Sequence, residues 1–232
     1  MIKGNILLVD DDKDIVDSME IHLKNEGLEV YKAYNGLEAL EILVEKEVHL
    51  ILMDIMMPKM DGLSATLKIR EKKNIPIILV SAKTQDTDKI IGLNMGADDY
   101  ITKPFNPLEL VARVKSNLRR YINLGIFKEE NTEELKHGEL ILDNISKEVT
   151  VDGACVKLTP TEYKILQLLL KNKGRVFSSR QIYENIWEEP AINCDRTVAV
   201  HIRRIREKIE INPKDPKYIK VVWGVGYKID KN

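Results

Sequence analysis

The sequence predicts an α/β doubly wound, parallel five-stranded sheet, followed by an α+β winged helix-turn-helix domain. Three observations lead there. Short unbroken apolar runs, NILLV at 5–9, HLILM at 49–53 and IILV at 77–80, alternate with stretches of helical period. Such runs read as strands buried on both faces of a parallel sheet. Each run ends in residues that carry chemistry: Asp10, Asp11 and Asp12, then Asp54, then Ser81. A further run, YIT at 100–102, ends in Lys103 and Pro104. Beyond residue 135 the pattern changes to short alternating segments, three helical stretches and a hairpin with glycines at its turn.

The elements follow in order. Helices are expected over 14–25, 37–46, 63–73, 87–95 and 107–121; in the first, Ile15, Met19 and Leu23 repeat at helical spacing. Asn35-Gly36 and Asp61-Gly62 are turn signals. Alternating βα units with short connections imply a sheet with helices on both faces. Asn106 is placed to cap a helix whose first residue is Pro107. Residues 122–134 (INLGIFKEENTEE) lack a clean period and contain one Gly and four Glu, which reads as a linker between domains at 1–121 and 135–232. Residues 138–158 alternate around Asp143-Asn144 and Asp152-Gly153, as in an antiparallel meander. Helices are expected at about 160–172, 179–186 and 195–210, the last capped by Asp195. Residues 218–229 read as a hairpin turning at 224–226. Helices followed by a hairpin make a winged helix-turn-helix.

Composition narrows the class. The chain has 232 residues, 44% apolar and 31% charged, as in a soluble globular protein. No stretch of about 18 apolar residues occurs, so no membrane span is expected. The N-terminal apolar run is too short, and too soon acidic, for a signal peptide, so a cytoplasmic location without a membrane partner is expected. Cys155 and Cys194 have no metal-like pairing and read as reduced thiols. His22, His49, His137 and His201 lack ligand spacing, and none is assigned to a metal. Residues 1–120 hold 17 Lys and Arg against 20 Asp and Glu, a net −3; residues 135–232 hold 18 against 13, a net +5. A basic module for a polyanion beside an acidic control module fits that asymmetry.

In an open α/β sheet, ligands bind at the carboxyl ends of the strands. The fold would gather Asp10, Asp11, Asp54, Ser81 and Lys103 in one crevice. Any one of these alone is an ordinary cap or turn former. Together they concentrate negative charge that is unfavourable without a cation. The set points to Mg²⁺ and a phosphoryl group.

The first half resembles a response-regulator receiver domain of flavodoxin-like fold, through LLVDDD at 7–12, LMDIMMPKMDG at 52–62, VSAK at 80–83 and GADDYITKPF at 96–105. The second half resembles the winged-helix effector of the OmpR/PhoB family, through LTPTEYKIL at 158–166, DRTVAVHIRRIREKI at 195–209 and WGVGYKI at 223–229. The resemblance implies that Asp54 accepts a phosphoryl group from a cognate sensor histidine kinase. A carboxylate can attack phosphorus directly, and the transfer needs mainly positioning and charge neutralisation. It also implies Mg²⁺ held by Asp11, Asp54 and the Met56 carbonyl, with Asp10 assisting through water. Mg²⁺ keeps several of its waters, so few protein oxygens suffice. Lys103 would pair with the phosphoryl oxygens. Ser81 and Tyr100 resemble the family's switch pair. A cis Lys103-Pro104 bond is expected.

In the stretch 195–210, Val198, Ile202, Ile205 and Ile209 follow a 4-3-4 spacing and should face the core. Arg196, His201, Arg203, Arg204 and Arg206 lie elsewhere, as on a recognition helix in a major groove. By resemblance Arg204 reads a base, while Arg196, Thr197, His201, Arg203 and Arg206 hold phosphates with Trp187 beside them. Trp223 stands at the hairpin tip, where some members carry an arginine. The resemblance implies a homodimer on phosphorylation, binding direct repeats in promoter DNA. Its interface would use Lys89 with Glu109 and Asp98 or Asp99 with Arg113, with Ile91 where an arginine is usual. Within the family, PTEYKIL at 160–166, NPKDPKYIKVVWGVGYKI at 212–229 and ARVKSNLRRY at 112–121 resemble regulators of vancomycin-resistance operons. Two other readings stand beside this one. An aspartyl-phosphate phosphatase would need an acid two residues after Asp54, where Met56 stands. A constitutive DNA binder with a vestigial receiver would not need the five crevice residues.

Overall fold

The computed structural model describes residues 4–82, 86–126, 134–188, 191 and 194–231. The chain divides into two compact units, 1–122 and 123–232. Among the described residues, no helix is long and apolar enough to cross a membrane.

The first unit runs β1 (Asn5–Val9), α1 (Lys13–Asn25), β2 (Glu29–Ala33), α2 (Gly36–Glu45), β3 (Leu50–Asp54), α3 (Gly62–Lys72), β4 (Ile77–Ser81), α4 (Asp86–Asn94), β5 (Asp99–Thr102) and α5 (Pro107–Ile126). Its sheet is parallel with strand order β2-β1-β3-β4-β5. β3 and β4 are buried along their whole length, which is why they read as unbroken apolar runs. β2 is an edge strand with Glu29 and Lys32 in it, so it has no such run. Ile6, Leu8, Leu50, Leu52, Ile78 and Leu110 share one core cluster. Each such side chain contributes about 1.5–3 kcal/mol by leaving water.

Short polar residues start the helices. The Asp12 carboxylate accepts from the backbone N–H of Asp14 and Ile15, Asn35 accepts from Leu37 and Glu38, and Asp61 accepts from Ser64. Each satisfies donors that a helix start leaves open. Asn106 does the same for α5, accepting from the Leu108 N–H at 2.9 Å. The Lys103-Pro104 bond is cis, as expected. α5 continues to Ile126, past the helix end expected at 121 and into the stretch read as linker. Its apolar positions repeat on through Leu118 and Ile122, and the helix follows them.

The second unit runs β6 (Glu134–His137), β7 (Leu140–Asp143), β8 (Val149–Val151), β9 (Ala154–Cys155), α6 (Pro160–Lys171), α7 (Ser179–Trp187), α8 (Asp195–Ile209), β10 (Ile219–Val222) and β11 (Gly226–Ile229). β6 to β9 form an antiparallel sheet in chain order. The sheet starts at Glu134, four residues before the meander expected from 138. β10 and β11 form the hairpin, and Phe177 pairs with Tyr227 beside it. A Cβ on Gly226 would stand 2.0 Å from the Phe177 carbonyl oxygen, so this strand approach requires glycine. Val198, Ile202, Ile205 and Ile209 of α8 all enter the core, as their spacing predicts. Asp195 does not cap α8: the N-cap is Cys194, which makes no side-chain cap bond, and Asp195 lies exposed within the first turn. A carboxylate there still complements the helix dipole.

Candidate functional site

The carboxyl ends of β1, β3, β4 and β5 lie along one edge of the sheet, and the strand order reverses between β1 and β3. That edge brings Asp10, Asp54, Ser81 and Lys103 together. Lys103 Nζ donates to Asp10 Oδ2 at 2.6 Å and to Asp54 Oδ1 at 2.7 Å. The Met56 N–H donates to Asp54 Oδ2 at 2.6 Å, so both Asp54 oxygens are bonded. The Asp12 N–H donates to Asp10 Oδ1 at 3.1 Å. Asp10, Asp54 and Ser81 are buried, while Asp11 is exposed beside them. The Lys103 N–H donates to the Ser81 carbonyl, which ties the last two strand ends together. Tyr100 is buried on β5, and its ring lies 3.7 Å from where a Cβ on Gly92 of α4 would stand.

Burial pushes the Asp10 carboxyl above its ordinary range, against the bonds from Lys103 and the Asp12 N–H. Burial pulls the Lys103 ammonium down, but its bonds to Asp10 and Asp54 outweigh this and raise it. Two buried carboxylates share one ammonium, so the crevice keeps excess negative charge. Among the described residues no three His, Cys, Asp or Glu side chains converge into a cage. A hydrated Mg²⁺ needs no cage. It binds through one or two carboxylates and keeps its remaining waters. Asp10 and Asp54, with Asp11 beside them, fit that hard-oxygen requirement. Cys155 is exposed, Cys194 is buried, and both are free thiols.

Gly62, read from the sequence only as half of a turn signal, supports the site from behind. A Cβ there would stand 1.9 Å from the Asp54 carbonyl oxygen. Only glycine lets the start of α3 approach the Asp54 backbone so closely. The Gly62 N–H donates to the Ile55 carbonyl across that contact.

In the second unit, α8 presents a different set of side chains from the one expected. Arg196, Ala199 and Arg203 are exposed, and Thr197 and Arg206 are half-buried. Trp187, His201 and Arg204 are not on the surface. Trp187 is fully buried and stacks on Tyr183 with ring centroids 4.6 Å apart. His201 is fully buried beside Trp187, at 5.4 Å. Arg204 is buried with its Nη2 2.9 Å from Glu162 Oε1. These three placements correct the expectation of direct DNA contact, because the core claims all three side chains first. Arg203 Nε donates to Glu207 at 2.8 Å on the open face. Arg206 donates to the Ile219 carbonyl and so fastens the hairpin to α8. Trp223, at the hairpin tip, is 89% exposed.

Glu162 was not singled out from sequence, although TPTE at 159–162 has capping-box spacing. Its carboxylate accepts from the Thr159 N–H at 2.8 Å and from Lys208 Nζ at 2.6 Å. Burial opposes its charge, but Arg204 and Lys208 hold the carboxyl below its usual range. Glu210 was also missed: its carboxylate accepts from the backbone N–H of Lys217, Tyr218 and Ile219 and sets the start of the hairpin.

Four of the residues expected at a dimer face, Asp98, Asp99, Glu109 and Arg113, are engaged within the chain. Asp98 is fully buried and accepts from Arg70 Nη2 at 2.6 Å and from the Ile77 N–H. This corrects its expected place on an interface. Asp99 is buried against Arg113 at 3.1 Å, and Arg113 also donates to Glu109. Ile91 is 43% exposed. The side chain of Lys89 lies outside the described residues.

Residues 6–115 match the response regulator receiver domain, and residues 153–229 match the C-terminal domain of transcriptional regulatory proteins. A receiver followed by that effector defines a two-component transcriptional response regulator, a transcription regulator rather than a class of enzyme. The chain is 47% identical over 231 residues to the regulatory protein VanR of Enterococcus faecium, covering 99% of this chain and 100% of that protein. It is 44% identical over 227 residues to VanRc of Enterococcus gallinarum, covering 97% and 98%. Among solved structures, response regulator DrrB of Thermotoga maritima, an OmpR/PhoB homologue, is 34% identical with a TM-score of 0.51, covering 98% of this chain and 99% of that one. The chain belongs to the OmpR/PhoB family of response regulators.

Proposed function

We propose that this protein is a transcription regulator gated by phosphorylation of Asp54. The observation that carries the reading is Lys103 bridging Asp10 and Asp54 at the carboxyl ends of β5, β1 and β3. One Asp54 oxygen attacks phosphorus, and the bond from phosphorus to the histidine of a sensor kinase breaks. Asp11, Asp54 and the Met56 carbonyl would hold Mg²⁺, with Asp10 assisting through water, and the ion would supply charge neutralisation for the phosphoryl oxygens. Lys103 adds a second positive charge, moving from Asp54 Oδ1 to a phosphoryl oxygen. The Met56 N–H holds the other carboxylate oxygen in place. The Ser81 hydroxyl donates a hydrogen bond to a phosphoryl oxygen, and Tyr100 follows the movement of the Ser81 loop. This is a local charge event acting on an element with two positions.

In the effector, Arg196, Thr197, Arg203 and Arg206 meet DNA along α8, and Trp223 of the hairpin lies against the adjoining groove. Phosphorylation favours a homodimer through the α4, β5 and α5 face, with Ile91, Glu109 and Arg113 nearest to it. Two linked effectors then bind direct repeats, and effective concentration raises affinity. The chain acts in the cytoplasm. VanR and VanRc are the named likenesses, and control of glycopeptide-resistance genes is the function they support for this chain.

The test is DNA affinity at fixed salt on the promoter region beside the gene itself. Protein with Mg²⁺ and beryllofluoride is compared with untreated protein. Tighter binding that is lost in Asp54→Ala gives the coupling energy of the switch. Equal affinity in both states would show that the receiver does not gate DNA contact.

A further inference from the structure

We propose that Ala199 reads a thymine, packing its methyl group on the thymine 5-methyl between two flanking arginines. This rests on the reading of α8 as the helix that enters the major groove.

Arg196, Ala199 and Arg203 are exposed at i, i+3 and i+7, which places them on one stripe of α8. Their neighbours Val198, Val200, His201 and Ile202 are all buried, so the stripe is narrow. Arg204, the residue expected to read a base, is turned inward to Glu162. From 196 to 203 the outward stripe is therefore cation, methyl, cation, with Arg203 paired to exposed Glu207 one turn further on. Arginines on either side reach away from the helix toward phosphates or base edges. The central position is different, because a methyl group lets the helix backbone approach the groove floor there. It offers neither a donor nor an acceptor, so hydrogen-bonded discrimination from Ala199 is impossible. The base feature that an alanine methyl recognises in the major groove is the thymine methyl. At about 1.5 Å of rise per residue, Arg196 and Arg203 lie about 4.5 and 6 Å along the axis from Ala199, within one or two base-pair steps.

The test uses the full chain. Duplexes are selected from a random library, and in the selected sequence each thymine is replaced in turn by uracil, which removes only the methyl. Wild type should lose about fourfold affinity at one or two positions, the factor corresponding to ~0.8 kcal/mol per buried methylene-sized group. Ala199→Gly should bind the thymine and uracil duplexes at those positions equally. Glycine lowers helix propensity, so Ala199→Ser serves as the second variant: it should select a different base there, with unchanged circular dichroism. Equal uracil effects in wild type and both variants, or no sensitive thymine at all, would overturn the assignment while leaving DNA binding intact. Failure of the library to yield any bound duplex would overturn the DNA reading and the inference together.

Discussion

Arg204 of α8 and Glu162 of α6 face each other across 2.9 Å inside the second unit, and Lys208 meets the same carboxylate at 2.6 Å. Glu162 also closes the capping box of α6 through the Thr159 N–H. One carboxylate thus starts one helix and anchors another. Removing one partner of a buried pair leaves charge without compensation. Glu162→Gln should lower unfolding stability by about 3–5 kcal/mol, read by urea denaturation. The Glu162 carboxyl is depressed in the folded state. Its contribution is therefore present above the ordinary carboxylate range and is lost as pH falls through its folded value. Wild type should lose stability on acidification more steeply than Glu162→Gln; identical slopes would contradict the pairing.

In the crevice, Asp54→Ala should abolish labelling by acetyl phosphate in the presence of Mg²⁺. Chelating the metal should do the same to wild type. Lys103→Met removes the ammonium that Asp10 and Asp54 share, so Asp10, already raised by burial, should titrate higher still. Carboxyl titration followed by NMR reads that shift, and labelling should fall with it. Persistent label in Asp54→Ala would identify another acceptor.

Gly62→Ala places a methyl 1.9 Å from the Asp54 carbonyl oxygen. Backbone must move, because no flexible side chain can yield there. The substitution should slow phosphorylation and destabilise the receiver, whereas an alanine in an ordinary helix interior stabilises. Labelling rate and thermal midpoint measure the two effects, and an unchanged protein would refute the close approach.

On the DNA side, Arg196→Ala and Arg203→Ala should each lower the salt slope of binding by about 1. Trp187→Ala should instead cost about 3–5 kcal/mol of stability, because Trp187 is a core side chain stacked on Tyr183. Its remaining folded fraction should keep the wild-type salt slope. A reduced slope would place Trp187 on DNA after all.

Met56 is 64% exposed beside Asp54, and an apolar side chain at that position is expected to hinder a water approaching an aspartyl phosphate. The phosphorylated protein should therefore decay slowly, and Met56→Ala should shorten its lifetime. Radiolabel loss after removal of the donor measures both; a wild-type lifetime of seconds would contradict the shielding.

Much of this was legible in the sequence because it is set locally. Buried parallel strands must be apolar throughout, so β3 and β4 announced themselves. Their ends had to fall together once the topology was parallel, so Asp10, Asp54, Ser81 and Lys103 could be grouped before any geometry was known. The inward row of α8 followed from helical period. What the sequence could not decide was which polar side chain faces inward. Arg203 and Arg204 are adjacent and chemically identical, yet one is exposed and the other is held by Glu162. Asp98 and Asp99 likewise turn to different arginines, Arg70 and Arg113. These choices depend on partners distant in the chain; Lys208 and Glu162, for example, are 46 residues apart. Periodicity and capping are written in neighbouring residues, but compensation of a buried charge is a tertiary event, settled only when the helices pack.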